Sequence, residues 1–96
     1  MMGGYKYTVV FSSEYKRNLK KIQKRRYNLE LLYEVIRKLA NDIPPEAKYR
    51  DHQLTGDMRC FRECHIAPDW LLVYEKTEDT LVLYLYKTGT HADVFE

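Results

Sequence analysis

The chain has 96 residues, with 16 Lys or Arg against 14 Asp or Glu, a net charge of +2, and 45% hydrophobic content. That length predicts one domain over residues 1–96, and the composition excludes disordered, low-complexity and disulfide-scaffold proteins. No apolar run approaches the roughly 20 residues of a membrane helix, and Met1 to Lys6 lacks a signal-peptide stretch, so a cytoplasmic protein with no membrane partner is expected.

Tyr5 to Phe11 is rich in aromatic and β-branched residues and predicts a first strand. Ser12 or Ser13 can cap a helix that begins at Glu14, where Tyr15, Leu19 and Ile22 form a narrow apolar stripe. Tyr27-Asn28 breaks that helix, and Asn28 can cap a second one from Leu29 to about Ala40. There Leu29, Leu32, Ile36 and Leu39 line one side, while Glu34 and Lys38 are spaced to pair on the other. Asp42-Ile43-Pro44-Pro45 stops it.

Beyond the prolines the pattern turns to strands: Met58 to Ile66, Asp69 to Glu75, and Thr80 to Lys87. Ile66-Ala67-Pro68 and Lys76 to Asp79 are their turns. The outline is an α+β fold: an N-terminal strand, a helical hairpin, then an antiparallel meander packed against the helices.

The small net charge hides a division. Residues 1–50 hold 12 Lys or Arg and 5 Asp or Glu, a net +7, whereas residues 51–96 hold 4 and 9, a net −5. Lys16, Arg17, Lys20, Lys21, Lys24 and Arg25 concentrate the excess on the first helix. Such a face suits a polyanion such as RNA, although a charge run by itself is commonly just solvated.

The acidic half carries all three histidines, His52, His65 and His91, each near an aspartate or an aromatic residue. Histidine takes and gives protons at neutral pH, so this set suits acid–base chemistry. The Ile66-Ala67-Pro68 turn is expected to bring His65 beside Asp69, with Trp70 either packed in the core or offering a face to a nucleobase. Phe95 has the same two readings. His52, Cys60, Cys64, His65, Asp69 and His91 are possible metal ligands, but their spacings match no common zinc pattern, and no metal or other cofactor is expected.

Three linked signatures carry a resemblance. They are Tyr49-Arg50-Asp51-His52-Gln53-Leu54-Thr55-Gly56, Arg62-Glu63-Cys64-His65-Ile66-Ala67-Pro68-Asp69-Trp70, and Thr88-Gly89-Thr90-His91-Ala92-Asp93-Val94-Phe95. On these the chain resembles the YafQ-type toxins of bacterial type II toxin–antitoxin systems, a branch of the RelE superfamily of ribosome-dependent mRNA interferases. The resemblance implies a RelE-like domain that cleaves mRNA in the ribosomal A site without a metal. His52, His65, Asp69 and His91 would form the catalytic set, with Trp70 and Phe95 shaping the site. Lys87 stands where relatives often carry arginine; it offers charge to the scissile phosphate but no bidentate fork. The implied partners are the ribosome, mRNA and a cognate antitoxin of the DinJ or RelB kind, through which alone the protein would meet DNA.

RNA cleavage of this type needs a base for the 2′-hydroxyl, an acid for the leaving 5′-oxygen and positive charge around the phosphate. His65 and His91 are the expected principal proton carriers, with Asp69 orienting or sharing that task and His52 assisting. Lys87 or Arg62 would supply charge, and the basic helix would contact ribosomal RNA. The competing reading is a toxin of the gyrase-poisoning ParE branch that blocks a protein target without cleavage. Such a protein has no need of three histidines in these contexts.

Overall fold

A computed structural model describes residues 4–95. β1 (Thr8–Phe11) leads into α1 (Ser13–Lys24) and α2 (Leu29–Ala40), and four further strands follow: β2 (His52–Gln53), β3 (Arg62–Ala67), β4 (Trp70–Thr77) and β5 (Val82–Gly89). A one-turn helix, α3 (His91–Phe95), ends the described chain. The sheet order is β1-β5-β4-β3-β2, with β1 parallel to β5 and the other neighbours antiparallel.

Local chemistry accounts for the helix ends. The Ser12 hydroxyl accepts the backbone N–H of Tyr15 at 2.8 Å, and the Asn28 side chain accepts that of Glu30 at 3.2 Å, each satisfying a donor that the first helical turn leaves open. On α1 only Tyr15 and Ile22 are buried; on α2, Leu32, Val35, Ile36, Leu39 and Ala40 are. These side chains pack on one sheet face against Cys64, Ile66, Trp70, Leu72, Tyr74, Leu83 and Leu85. Each fully buried aliphatic side chain there stabilises the fold by about 1.5–3 kcal/mol.

The expected α+β architecture holds, with several differences. The first strand starts at Thr8 rather than Tyr5, and it joins the sheet as a parallel edge beside β5. Of the strand expected from Met58 to Ile66, Met58 instead ends a 3-10 turn, Gly56–Met58, and the strand, β3, begins at Arg62. Leu81 leaves the Leu83 and Leu85 face because its φ of +54° places it in the turn. Glu34 pairs with Arg37 at 2.8 Å, and Lys38 reaches Glu46 at 3.2 Å, so the expected Glu34–Lys38 pair does not form. Neither β2 nor α3 was expected, and both position the site.

The opposite sheet face carries a smaller apolar patch. Leu71 and Val73 are fully buried beneath Val94 of α3, flanked by Leu54, Met58, Phe61 and Tyr86. This patch is the floor on which the histidines converge.

Candidate active site

Strand geometry gathers the first group. His52 pairs with Glu63 across β2 and β3, and residues two apart on a strand share a face, so His52, Glu63 and His65 stand on the same side of the sheet. Glu63 is 5% exposed, and its Oε1 lies 3.4 Å from His65 Nε2 and 3.6 Å from His52 Nε2. The two imidazole centroids are 6.2 Å apart. His52 Nδ1 is 2.7 Å from the Arg50 carbonyl, which can only accept, so Nδ1 carries the hydrogen and Nε2 faces the carboxylate. Arg50 holds that carbonyl in place from a left-handed conformation, φ +50°.

The second group lies two strands away. Cross-strand register aligns His65 with Leu71 and Leu71 with Gly89, which sets the His65 and Gly89 backbones about 10 Å apart. The chain turns at Gly89 and enters α3 at His91. His91 is exposed, its N–H donates to Asp69 Oδ1 at 3.3 Å, and its Nδ1 lies 3.5 Å from the same oxygen. Four residues on, Phe95 is 45% exposed, and its ring stands 5.9 Å from the imidazole. Both side chains therefore project from the one-turn helix while Val94 anchors it to the floor.

Thr90 and Asp93 close a capping box on that turn. Asp93 Oδ2 accepts the Thr90 N–H at 2.9 Å, and Thr90 Oγ1 accepts the Asp93 N–H at 3.2 Å. Arg25, at the end of α1, grips the same carboxylate through both terminal nitrogens, at 2.6 and 3.2 Å. The guanidinium, helped by Thr90, holds the Asp93 carboxyl well below the usual carboxylate range.

Several expectations need correction. Asp69 sits in the turn between β3 and β4 and meets His91, not His65; the imidazole of His65 has Glu63 as its carboxylate. Trp70 is 3% exposed, packed 5.0 Å from the Tyr27 ring, with its indole N–H donated to Thr88 Oγ1 at 3.0 Å. It fixes the strand beneath Asp69 and offers no face to a base. Arg62 is one residue from Glu63 and so lies on the other sheet face, where Asp51 binds it at 2.9 Å. It cannot supply charge to a phosphate beside the histidines. Arg25 is taken up by Asp93 rather than held out as a free surface cation.

Lys87 pairs in register with Val73 and so shares the histidine face, although its ammonium is turned to the Val94 carbonyl at 3.2 Å and to Glu14 at 3.4 Å. Lys16, Arg17, Lys20, Lys21 and Lys24 are all exposed on α1, whose far end adjoins α3 through Arg25. Glu63 is the residue that the sequence reading missed. Its spacing of two from His65, which puts both on one strand face, was the available signal.

The arrangement offers three imidazoles and two carboxylates around an apolar floor, with a cationic helix beyond. Among the described residues no group of three or more His, Cys, Asp or Glu side chains is arranged to hold a metal ion. Of the cysteines, Cys60 is exposed and Cys64 is buried in the helix-side core, which pushes its thiol pKa up.

Residues 7–96 match the model of a family described as bacterial toxin of type II toxin–antitoxin system, YafQ. The mRNA interferase toxin YafQ of Escherichia coli K12 is 35% identical over 88 residues, 91% of this chain and 94% of that protein. The toxin in the crystal structure of the E. coli DinJ–YafQ complex superposes with a TM-score of 0.86 at 34% identity, covering 95% of this chain and 99% of that one. A metal-bound toxin from Helicobacter pylori gives a TM-score of 0.87 at 39% identity, over 93% of this chain and 99% of that one.

Proposed function

Since the chain belongs to the YafQ family of toxins of bacterial type II toxin–antitoxin systems, we propose that it is an mRNA interferase, an endoribonuclease that cuts mRNA in the ribosomal A site. Cleavage proceeds by acid–base catalysis without a metal and halts translation. One observation carries this reading: two separate histidine–carboxylate groups, Glu63 with His65 and His52, and Asp69 with His91, flank one open sheet face.

The chemistry follows from that placement. A base removes the 2′-hydroxyl proton, the oxygen attacks the adjacent phosphorus, and an acid protonates the departing 5′-oxygen, leaving a 2′,3′-cyclic phosphate. In-line attack puts base and acid on opposite sides of the phosphorus. His65 on β3 and His91 just beyond the end of β5, with β4 between those two strands, suit that requirement. Either can begin as the base. Glu63 and Asp69 hold the rings in orientation and offset the imidazolium charge that forms. Lys87 faces the same floor and can exchange its Glu14 carboxylate partner for a phosphate oxygen while still donating to the Val94 carbonyl. Phe95 supplies the exposed aromatic face on which a base can stack. A Helicobacter pylori relative has been solved metal-bound, but here the proton carriers for both steps are already present as side chains.

Dependence on the ribosome fits the open site. With His91 and Phe95 exposed, the protein by itself does little to orient an RNA strand, and the ribosome supplies that positioning. The basic face of α1 would bind ribosomal RNA. A DinJ-like antitoxin is the expected neutralising partner, and DNA is met only through that complex. No helix among the described residues is long and apolar enough to cross a membrane; mRNA and ribosomes as targets put the protein in the cytoplasm.

The test is translation of a reporter mRNA in a bacterial cell-free extract, with 5′ ends mapped by primer extension. Codon-phased cuts that require translation and vanish with His91→Ala are expected. Arrested translation without cuts would point to a blocking toxin, and undisturbed synthesis would reject the functional reading.

A further inference from the structure

We propose that Arg25 and Asp93 form a latch that positions His91 for RNA cleavage, an inference that rests on the interferase reading. Five residues are too few to hold a helix by their own hydrogen bonds, because the cost of nucleation is not recovered in one turn. The order of α3 must come from tertiary anchors. Beneath it lies Val94, 2% exposed against Leu71 and Val73. At its end Lys87 donates to the Val94 carbonyl. Its flank is held by Arg25, whose planar fork meets both Asp93 oxygens.

That bond joins residues 68 apart in sequence and ties the end of the basic helix to the turn carrying His91 and Phe95. Asp93 is 11% exposed at its side chain, so the carboxylate is committed to this contact rather than held out in water. The same carboxylate caps the Thr90 N–H, so a shift of Asp93 moves the residue that sets the His91 backbone. Gly89 shows how closely the parts fit: a Cβ there would lie 2.6 Å from Asp93 Oδ2 and 2.7 Å from Asp93 Cβ. Arg25 and Asp93 act through His91 and are positioning residues.

A simpler role for Arg25, as one more cation against ribosomal RNA, makes the opposite forecast for one variant. Asp93→Asn would release Arg25 and remove a negative charge, so a pure RNA contact predicts tighter ribosome binding and unchanged cleavage. The latch predicts slower cleavage with little change in binding.

The experiment measures ribosome affinity and single-turnover cleavage on programmed ribosomes for wild type, Arg25→Ala, Arg25→Lys, Asp93→Asn and the double variant Arg25→Ala/Asp93→Asn. Backbone amide exchange by NMR accompanies it. Arg25→Ala and Asp93→Asn should each slow the cleavage step at least about tenfold, with affinity held within about threefold. Arg25→Lys should recover part of the rate, and the double variant should be no slower than the worse single one. Amides of His91 and Val94 should exchange faster in both single variants while those of Leu83 and Leu85 keep wild-type rates, which separates a loosened α3 from a destabilised fold. Wild-type cleavage by Asp93→Asn, or unchanged exchange at His91, overturns the latch. An inactive wild type overturns the interferase reading instead, and the exchange rates still decide whether Arg25 and Asp93 order α3.

Discussion

Asp69 Oδ1 contacts His91 twice, accepting its backbone N–H at 3.3 Å and lying 3.5 Å from its Nδ1. A turn between β3 and β4 thereby fixes both the start of α3 and the orientation of its imidazole. The two contacts can be separated. In Asp69→Asn the amide oxygen can still accept the backbone N–H but brings no charge, whereas Asp69→Ala removes both. His91→Ala should reduce cleavage by about 10²–10⁴-fold, the usual range for losing a proton-transfer group. Asp69→Ala should fall below Asp69→Asn, and both should lie between wild type and His91→Ala. Single-turnover rates on programmed ribosomes check the order; wild-type rates in both Asp69 variants would remove the carboxylate from the mechanism.

Glu63 is a buried carboxylate whose near neighbours on the open face are two imidazoles. A charge is costly to bury, and this one is in place to offset the positive charge that a proton brings to His65 or His52. Glu63→Gln preserves the shape and removes the charge. Cleavage should slow by about tenfold or more, because neither ring is then held or compensated in its protonated form. Thermal unfolding should be little changed, since an uncharged amide is easier to bury than a carboxylate. Equal rates for variant and wild type would confine Glu63 to packing.

Much of the framework was legible in the sequence because it rests on periodicity and on capping chemistry. Asn28, Leu29 and Ala40 mark α2 as the structure has it, since the side-chain cap and the apolar stripe act within the helix itself. The three histidines stood out as candidates for a different reason: residue type alone carries their proton chemistry. What could not be read was which carboxylate meets which imidazole. That depends on cross-strand register and on the two-residue strand His52–Gln53, too short to leave a periodic signal. Arg62, by contrast, stands three residues from His65, and strand alternation already sets those two side chains on opposite faces. The engagement of Arg25 was hidden for another reason: its partner is 68 residues away, and a basic run looks the same whether or not one member is engaged.

Gly89 is constrained from two directions. Its φ of +144° is unfavourable for any residue with a Cβ, and that Cβ would collide with Asp93. Gly89→Ala should cost about 1–3 kcal/mol through backbone strain and should also displace Asp93 from Thr90 and Arg25. Urea unfolding would measure the first effect and cleavage the second, and cleavage should fall more than the unfolded fraction accounts for.

The five exposed cations Lys16, Arg17, Lys20, Lys21 and Lys24 are expected to bind phosphates without taking part in chemistry. Reversing Lys20, Lys21 and Lys24 to Glu should weaken ribosome binding most at low salt and flatten its salt dependence, by about one unit of slope for each phosphate that is no longer neutralised. The rate of the bound complex should stay near wild type. An unchanged salt slope would leave these side chains as a solvated helix face.

Acid sensitivity follows from Asp93. Arg25, and then Thr90, lower its carboxyl below the ordinary value of 3.8, so folding favours the charged form. The resulting stabilisation is fully present above the unfolded-state value and is lost as pH falls below about 4 toward the lower folded value. Asp93→Asn lacks this contribution at every pH. Unfolding free energies of the two proteins should therefore differ at pH 7, and the gap should narrow progressively as the pH is lowered from about 4 to 2. Measuring both by urea titration at several pH values cancels the acid groups they share. A gap that stays constant over this range would mean that the Arg25–Asp93 pair contributes nothing to stability as an ion pair and that the variant acts through packing alone.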